Sequence, residues 1–430
     1  MILTDNSGRQ YDLFDYQISG VDLLLSHPRY ILYWDCGVGK TLALIAALNQ
    51  LPRGKVLIAS PKSVRFDMWE KLGIPINHDV TYLHYDMFPR ITNLPTFDYI
   101  IFDECHKIKG CNTQTARIAS KLSKKAKVVW GASATIAANS YIDTFRILRN
   151  MGVAEFQYPD SAFIGRYYNT YSFPVATRYG TKNISKPTTV RLQFADELSS
   201  TFAQYCDSIN LDDVHKLPER HEDVIYVDGM ATPEYSAIEA GIIALSDEDI
   251  SIVAKLEACA KARQAAGGFI YYNDIDTGKQ LVKNLCPDKN PKIEALRKYI
   301  REHKDENIII AYSFIYEKEM IERMLAEENR AVTDEVSLLP YANTFLRQIS
   351  RGEGLNLQTW ARRMVMYSYD YSYIEWTQMQ GRIYRVGQTK ETYFTSLISR
   401  GTIDEKVYHA VQTKQTIDEY LRSVTRHSEV

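Results

Sequence analysis

Paired cysteines are missing from this chain of 430 residues: its six (Cys36, Cys105, Cys111, Cys206, Cys259 and Cys286) are scattered, with no Cys-x-x-Cys and no histidine cluster at zinc-ligand spacing. That argues against a structural zinc site, and the thiols read as reduced, in a cytosol-like compartment. Hydrophobic runs long enough to cross a bilayer are also missing, and Met1-Ile2-Leu3-Thr4-Asp5 has neither the basic nor the apolar region of a signal peptide. We therefore expect a soluble cytoplasmic protein, monomeric and without a membrane partner. Excess charge is absent as well. With a net charge of −2, any nucleic-acid surface must be a local patch. Internal repeats and low-complexity tracts are absent too. What is there, 45% apolar and 24% charged residues, describes an ordinary globular protein, and 430 residues exceed what one core covers, which predicts two or three domains.

Short β-rich runs at 30–33, 55–59, 99–102 and 127–130 alternate with helical patterns at 41–51 and 113–122. The alternation predicts an α/β lobe, a parallel sheet with crossover helices, over residues 1–150. A second alternating block begins near Pro291, with helices at 292–303 and 317–327 and strands at 307–312 and around Phe345, Met364 and Tyr393. It predicts a second lobe over 286–430. Between them, 151–285 reads as an inserted, mainly helical region with helices at 196–209, 232–245 and 249–265. It also holds an aromatic, basic stretch at 163–182 and a hairpin at 267–283 that turns on Asp276-Thr277-Gly278.

Three motifs carry chemistry. In Gly37-Val38-Gly39-Lys40-Thr41, Gly37, Val38 and Gly39 can turn backbone amides toward phosphate oxygens, Lys40 can reach the β and γ phosphates, and Thr41 can offer its hydroxyl to magnesium. The strict phosphate-loop pattern needs glycine where Trp34 stands, so a plain glycine-rich turn is the alternative. Asp103-Glu104-Cys105-His106 follows a buried strand: Asp103 is the candidate magnesium ligand and Glu104 the group that aims a water, although alone such a pair is a solvated turn. In Gln378 to Gln388, Arg382 and Arg385 stand three apart, on one face of a helix. Solvated if alone, in a two-lobed ATPase they are arginine fingers that reach the γ phosphate when the lobes close. Lys40, Asp103, Glu104, Arg382 and Arg385 are thus the expected catalytic set, with ATP and Mg²⁺ as cofactors.

In their order along residues 11 to 410, these motifs resemble those of superfamily-two helicases, and within them the Swi/Snf-type DNA translocases. The resemblance implies two RecA-like lobes of P-loop NTPase type. Leu13 to Gly20 looks like the family's opening motif, which makes Gln17 the adenine contact. Ser60-Pro61-Lys62-Ser63 with Trp69 looks like motif Ia, implying phosphate-backbone contacts from Lys62 and Ser63. Gly131-Ala132-Ser133-Ala134-Thr135 holds the place of motif III, which links hydrolysis to nucleic-acid contact through Ser133 and Thr135. Gly352 to Gln358 is close to motif V, which faces both ligands, Gly354 toward ATP and Asn356 toward DNA. Two features depart from the pattern: motif III reads Ser-Ala-Thr, as in RNA-helicase relatives, and the stretch from Phe314 to Phe345 is short. The compact chain, without an appended reader domain, looks like the minimal motors of phages and bacteria.

The expected activity is an ATP-dependent translocase or helicase on duplex or branched DNA, sequence-independent because it grips phosphates through Lys62, Ser63, the basic stretch 121–127, Arg347 and Arg351. An RNA-directed helicase and an ATP-switched clamp without turnover are the alternatives. The aromatics of 163–179, Tyr171 and Phe173 among them, read as a strand-separating wedge or as the packing of a subdomain. Cys36 and Cys105, inside ATP motifs, are expected to make the enzyme thiol-sensitive.

Overall fold

Runs such as Tyr30 to Trp34 and Tyr99 to Phe102, apolar at every position, suit strands covered on both faces, and both are buried strands. The computed structural model describes the chain except residues 63–68, 70–71, 92–94, 137–140, 178–179, 248–251, 275–276, 352–354 and 414–430. Two compact units result: Met1–Pro174 with Asn183–Lys216, and Val175–Lys182 with Leu217–Thr413.

The main sheet of the first unit has six strands: β1 (Arg29–Trp34), β2 (Lys55–Ser60), β3 (Asp79–His84), β4 (Tyr99–Asp103), β5 (Val128–Ala132) and β6 (Cys206–Ile209). All pair in parallel, in the order β6-β1-β5-β4-β2-β3. Helix Lys40–Leu48 is buried from Ala43 to Leu48, whereas Gln114–Ser123 is amphipathic and capped by Thr113 Oγ1, which accepts the Ala116 N–H at 3.2 Å. Phe145 stacked on Phe163, ring centres 4.2 Å apart, sits in the core beneath. Parallel pairing puts the carboxyl ends of β1, β4 and β5 along one edge, and with them residues 35–41, 103–106 and 133–135.

The second unit repeats the plan with β7 (Arg220–Val227), β8 (Ile308–Tyr312), β9 (Val332–Thr333), β10 (Thr344–Gln348), β11 (Arg363–Met366) and β12 (Thr392–Ser399), parallel in the order β7-β12-β11-β8-β10-β9. Helix Pro291–Glu302 starts on Asn290, whose side chain accepts the N–H groups of Lys292 and Ile293, with proline at the first helical position. Its Lys292 makes a buried 2.5 Å ion pair with Asp404.

The two sheets agree with the expected α/β architecture. The region 151–285 is divided between the units: its tail of 196–209, expected as one helix, ends at Ala203 and continues as β6 in the first sheet, while β7 belongs to the second. The hairpin is present as Phe269–Asn273 against Gln280–Asn284; of its expected turn, Asp276 lies outside the described residues. In the aromatic stretch, Phe163, Tyr167 and Tyr168 are buried in the first core, and Tyr171 is 64% exposed.

Candidate nucleotide and nucleic-acid site

The loop after β1 turns twice through left-handed backbone, at Gly37 (φ 92°) and Gly39 (φ 85°), conformations that other residues resist. A Cβ on Gly39 would also come within 2.2 Å of the Gln17 amide nitrogen. That amide donates to Val38 O at 2.9 Å and its oxygen accepts the Phe14 N–H at 3.0 Å, while the Tyr16 hydroxyl reaches the same Val38 O at 3.0 Å. Helix Asp15–Ser26 thus braces the loop through Gln17, which is buried. Lys40, at the head of the following helix, donates to Trp34 O (2.8 Å) and Asp35 O (3.0 Å).

Trp34, where the strict pattern has glycine, is fully buried. Its indole N–H donates to Asp207 of β6 at 2.8 Å, and its ring fills space that Gly20 leaves, since a Cβ on Gly20 would fall 2.4 Å from it. Two small adjustments therefore absorb one large departure.

Beside the loop, the Trp69 indole N–H donates to Asp103 Oδ2 at 3.1 Å and the Tyr85 hydroxyl to Asp103 O at 2.7 Å. Burial, and then the neighbouring Glu104 charge, push the Asp103 carboxyl up to about 6, against the pull of the Trp69 hydrogen bond and the Lys40 ammonium. Glu104 itself is left-handed (φ 53°, ψ 55°), a cost that side chains place at working sites. Its Oε2 lies 3.2 Å from His106 Nδ1 and accepts from Ser133 Oγ at 3.3 Å; His106 Nδ1 and Ser133 Oγ are 3.0 Å apart, and Ser133 Oγ accepts the Thr135 N–H at 3.1 Å. His106 Nε2 is buried and unpartnered.

Ser133 and Thr135 are 0% and 1% exposed, and Ser133 faces Glu104 because β5 lies next to β4 and ends at the same edge. Cys105 is likewise buried, with its thiol pushed well up by burial, so it is no site of ready modification; Cys36 is half-buried.

In the second unit helix Tyr373–Gln380 stops before the two arginines, so they do not share its face as the spacing suggested. They converge all the same. Arg382 donates to Gln378 O (2.7 Å) and Leu355 O (3.1 Å), and Arg385 reaches Leu355 O (3.4 Å) and the Asn356 side-chain oxygen. Arg347 ends near the carboxyl edge of β10, and Arg351 closes a short 3₁₀ turn, Ile349–Arg351. Lys62 is exposed; Ser63 and Gly354 lie outside the described residues. Of the basic stretch, Lys127 is paired with Asp98 at 2.9 Å. The contacts that the sequence reading missed, Trp69 to Asp103 and His106 with Ser133 to Glu104, join residues that only the order of the strands makes neighbours. Among the described residues no helix is long and apolar enough to cross a membrane.

The donor set fits a nucleotide with a divalent cation: two left-handed glycines and a lysine stand at the head of one helix, and a half-buried carboxylate ends β4 at the same sheet edge. No protein-family model matches the chain. It is 34% identical over 105 residues (24% of this chain, 9% of the relative) to the DNA excision repair protein CSB of Oryza sativa subsp. japonica. It is 25% identical over 199 residues (43% and 17%) to the ATP-dependent helicase FUN30 of Saccharomyces cerevisiae. An alignment of 446 positions, 21% identical, covers 94% of the chain and 44% of the SWI/SNF-related matrix-associated actin-dependent regulator of chromatin subfamily A-like protein 1 of Xenopus tropicalis. The chain spans less than half the length of each of these relatives. A solved structure of the Sulfolobus solfataricus SWI2/SNF2 ATPase core in complex with dsDNA aligns with 96% of this chain and 93% of its own, at 20% identity and a TM-score of 0.40. With the ordered motifs quoted above, the sequence matches make this chain a relative of the Swi2/Snf2-type ATPases of helicase superfamily two.

Proposed function

We propose that the protein hydrolyses ATP to move along DNA without reading its sequence. The observation that carries this is the cluster at the carboxyl edge of the first sheet, where Lys40 heads the helix after β1, Asp103 ends β4 and Glu104 is held by Ser133 and His106. Gly37, Val38, Gly39 and Lys40 cradle the triphosphate, Gln17 offers its remaining amide hydrogen to adenine, and Thr41 and Asp103 hold magnesium. The bound ion offsets phosphate charge. Glu104, fixed in one orientation by two partners, aims the attacking water. Arg382 and Arg385, carried by the second unit and tethered beside Asn356, complete the charge on the transferred phosphoryl group, so turnover couples to movement of one unit against the other. The motif V contact of Gly354 with ATP belongs to the same reading.

DNA is the track we favour, with Lys62, Ser63, Arg347, Arg351 and Asn356 as phosphate-backbone contacts; the name of one relative, a DNA excision repair protein, supports it. The Ser-Ala-Thr motif favours RNA as the second reading. Turnover measured with duplex DNA, single-stranded DNA and RNA separates them: stimulation by duplex DNA is expected, and stimulation by RNA alone rejects the first reading. Unwinding is the finer claim, with exposed Tyr171 as the wedge; Tyr171→Ala should cut strand displacement while leaving DNA-stimulated turnover intact.

A further inference from the structure

Helix Gln114–Ser123 and its C-cap carry Arg117, Lys121 and Lys124 at spacings of four and three residues, hence on one face. All three are exposed, and among the described residues none is paired with a carboxylate. They line a surface cavity of about 470 Å³ with Arg149, Asn150 and Gln157, and no acidic side chain lines it. The wall is built to stay in place: Arg149 is held by Asp160, Asn150 donates to Ile108 O at 2.6 Å, and Gln157 donates to Arg149 O at 2.7 Å. These partners fix the wall without neutralising the three cations in front of it. Like charges one helical turn apart repel, so the row opposes helix formation unless an anion lies against it.

Its place is as informative as its charge. Arg29, the first residue of β1, donates to Ser123 O (3.1 Å), Ala126 O (2.8 Å) and Lys127 O (2.8 Å), which sets this end of the helix at the amino edge of the sheet. The phosphate loop follows the other end of β1, ~20 Å away at ~3.3 Å per residue. One bound nucleotide cannot reach both.

We propose that the cavity is a second polyanion site that takes the phosphodiester backbone of DNA, apart from the nucleotide loop. The three cations span ~10 Å along the helix at 1.5 Å per residue, a length that about three phosphates of one strand occupy at a 3.4 Å rise. The site rests on the reading that DNA is the substrate, and it would grip duplex away from the edge where ATP is turned over.

The test is duplex binding by the full chain over a range of salt concentrations, comparing wild type with the Arg117→Gln/Lys121→Gln/Lys124→Gln triple variant. A control of equal charge, Lys279→Gln/Lys283→Gln/Lys298→Gln, is measured alongside. Loss of three phosphate contacts should make the slope of log K against log salt less steep by about 2.7 in the triple variant and leave it unchanged in the control. The triple variant should melt no lower than wild type, so that a changed slope is not a loss of fold. An unchanged slope in the triple variant, with wild type still binding duplex, overturns the site and leaves the DNA reading standing; an equal change in the control also overturns it. A wild type that does not bind duplex rejects both.

Discussion

Glu104 shows how much of this site depends on neighbours distant in sequence. Its left-handed backbone points the carboxylate at Ser133 and His106, so removing the Ser133 hydroxyl frees the group without removing it. Ser133→Ala should lower kcat by about 10- to 100-fold, the usual effect of losing an orienting partner, while the affinity for a non-hydrolysable ATP analogue holds. Glu104→Gln should keep that affinity and abolish turnover. Trp69→Phe removes the single hydrogen bond its indole gives to Asp103, and should raise the magnesium concentration needed for half-maximal nucleotide binding, measured by titration. The loop itself was legible in the sequence, because Gly37, Gly39 and Lys40 have few other reasons to stand at that spacing after a buried strand. The Trp69 and Ser133 contacts were not, since a motif names residues and does not say which way they face. Trp34 obscured the loop pattern for a related reason: its compensation by Gly20 and Asp207 is visible only once the strands are paired.

Among the elements, the longer helices and the apolar strands emerged where expected, and some short or polar elements did not. Four-residue β6, with Asp207 and Ser208 at its centre, offers no apolar run and was absorbed into the preceding helix. The helix of the arginine motif ends at Gln380 although the spacing beyond it still looks helical. Helix Pro291–Glu302 is tied down by Lys292 and Asp404, 1% and 7% exposed. Lys292→Met would strand a buried carboxylate and should cost about 3–5 kcal/mol in denaturant unfolding of the second unit, while Lys292→Met/Asp404→Leu should recover most of that loss. Glu328, gripped by Arg301 and Arg297 at 2.7 to 2.8 Å, has its carboxyl held down to about 2. A depressed carboxyl stabilises the fold above its ordinary value of 4.5 and ceases to do so as pH falls toward 2. Glu328→Gln should therefore melt a few degrees below wild type at neutral pH, with the gap narrowing as the pH falls from 4.5 toward 2.

At the scale of the molecule, each unit has its own sheet and its own core, and the two halves of the proposed chemistry are divided between them. Arg385→Ala should lower DNA-stimulated kcat by ~10³ or more, as expected for an arginine finger, with nucleotide affinity within a few-fold of wild type. A large loss of nucleotide affinity instead would place Arg385 in ground-state binding. The pairing of β6 with β1 has a further consequence, for biosynthesis. Trp34 and Asp207 are 173 residues apart, so at ~5–20 residues per second the flank of β1 waits roughly 9 to 35 seconds for its partner to leave the ribosome. Throughout that interval the nascent chain presents an open strand edge to whatever chaperone is at hand, and the nucleotide-binding half cannot be finished before Ile209 has been translated.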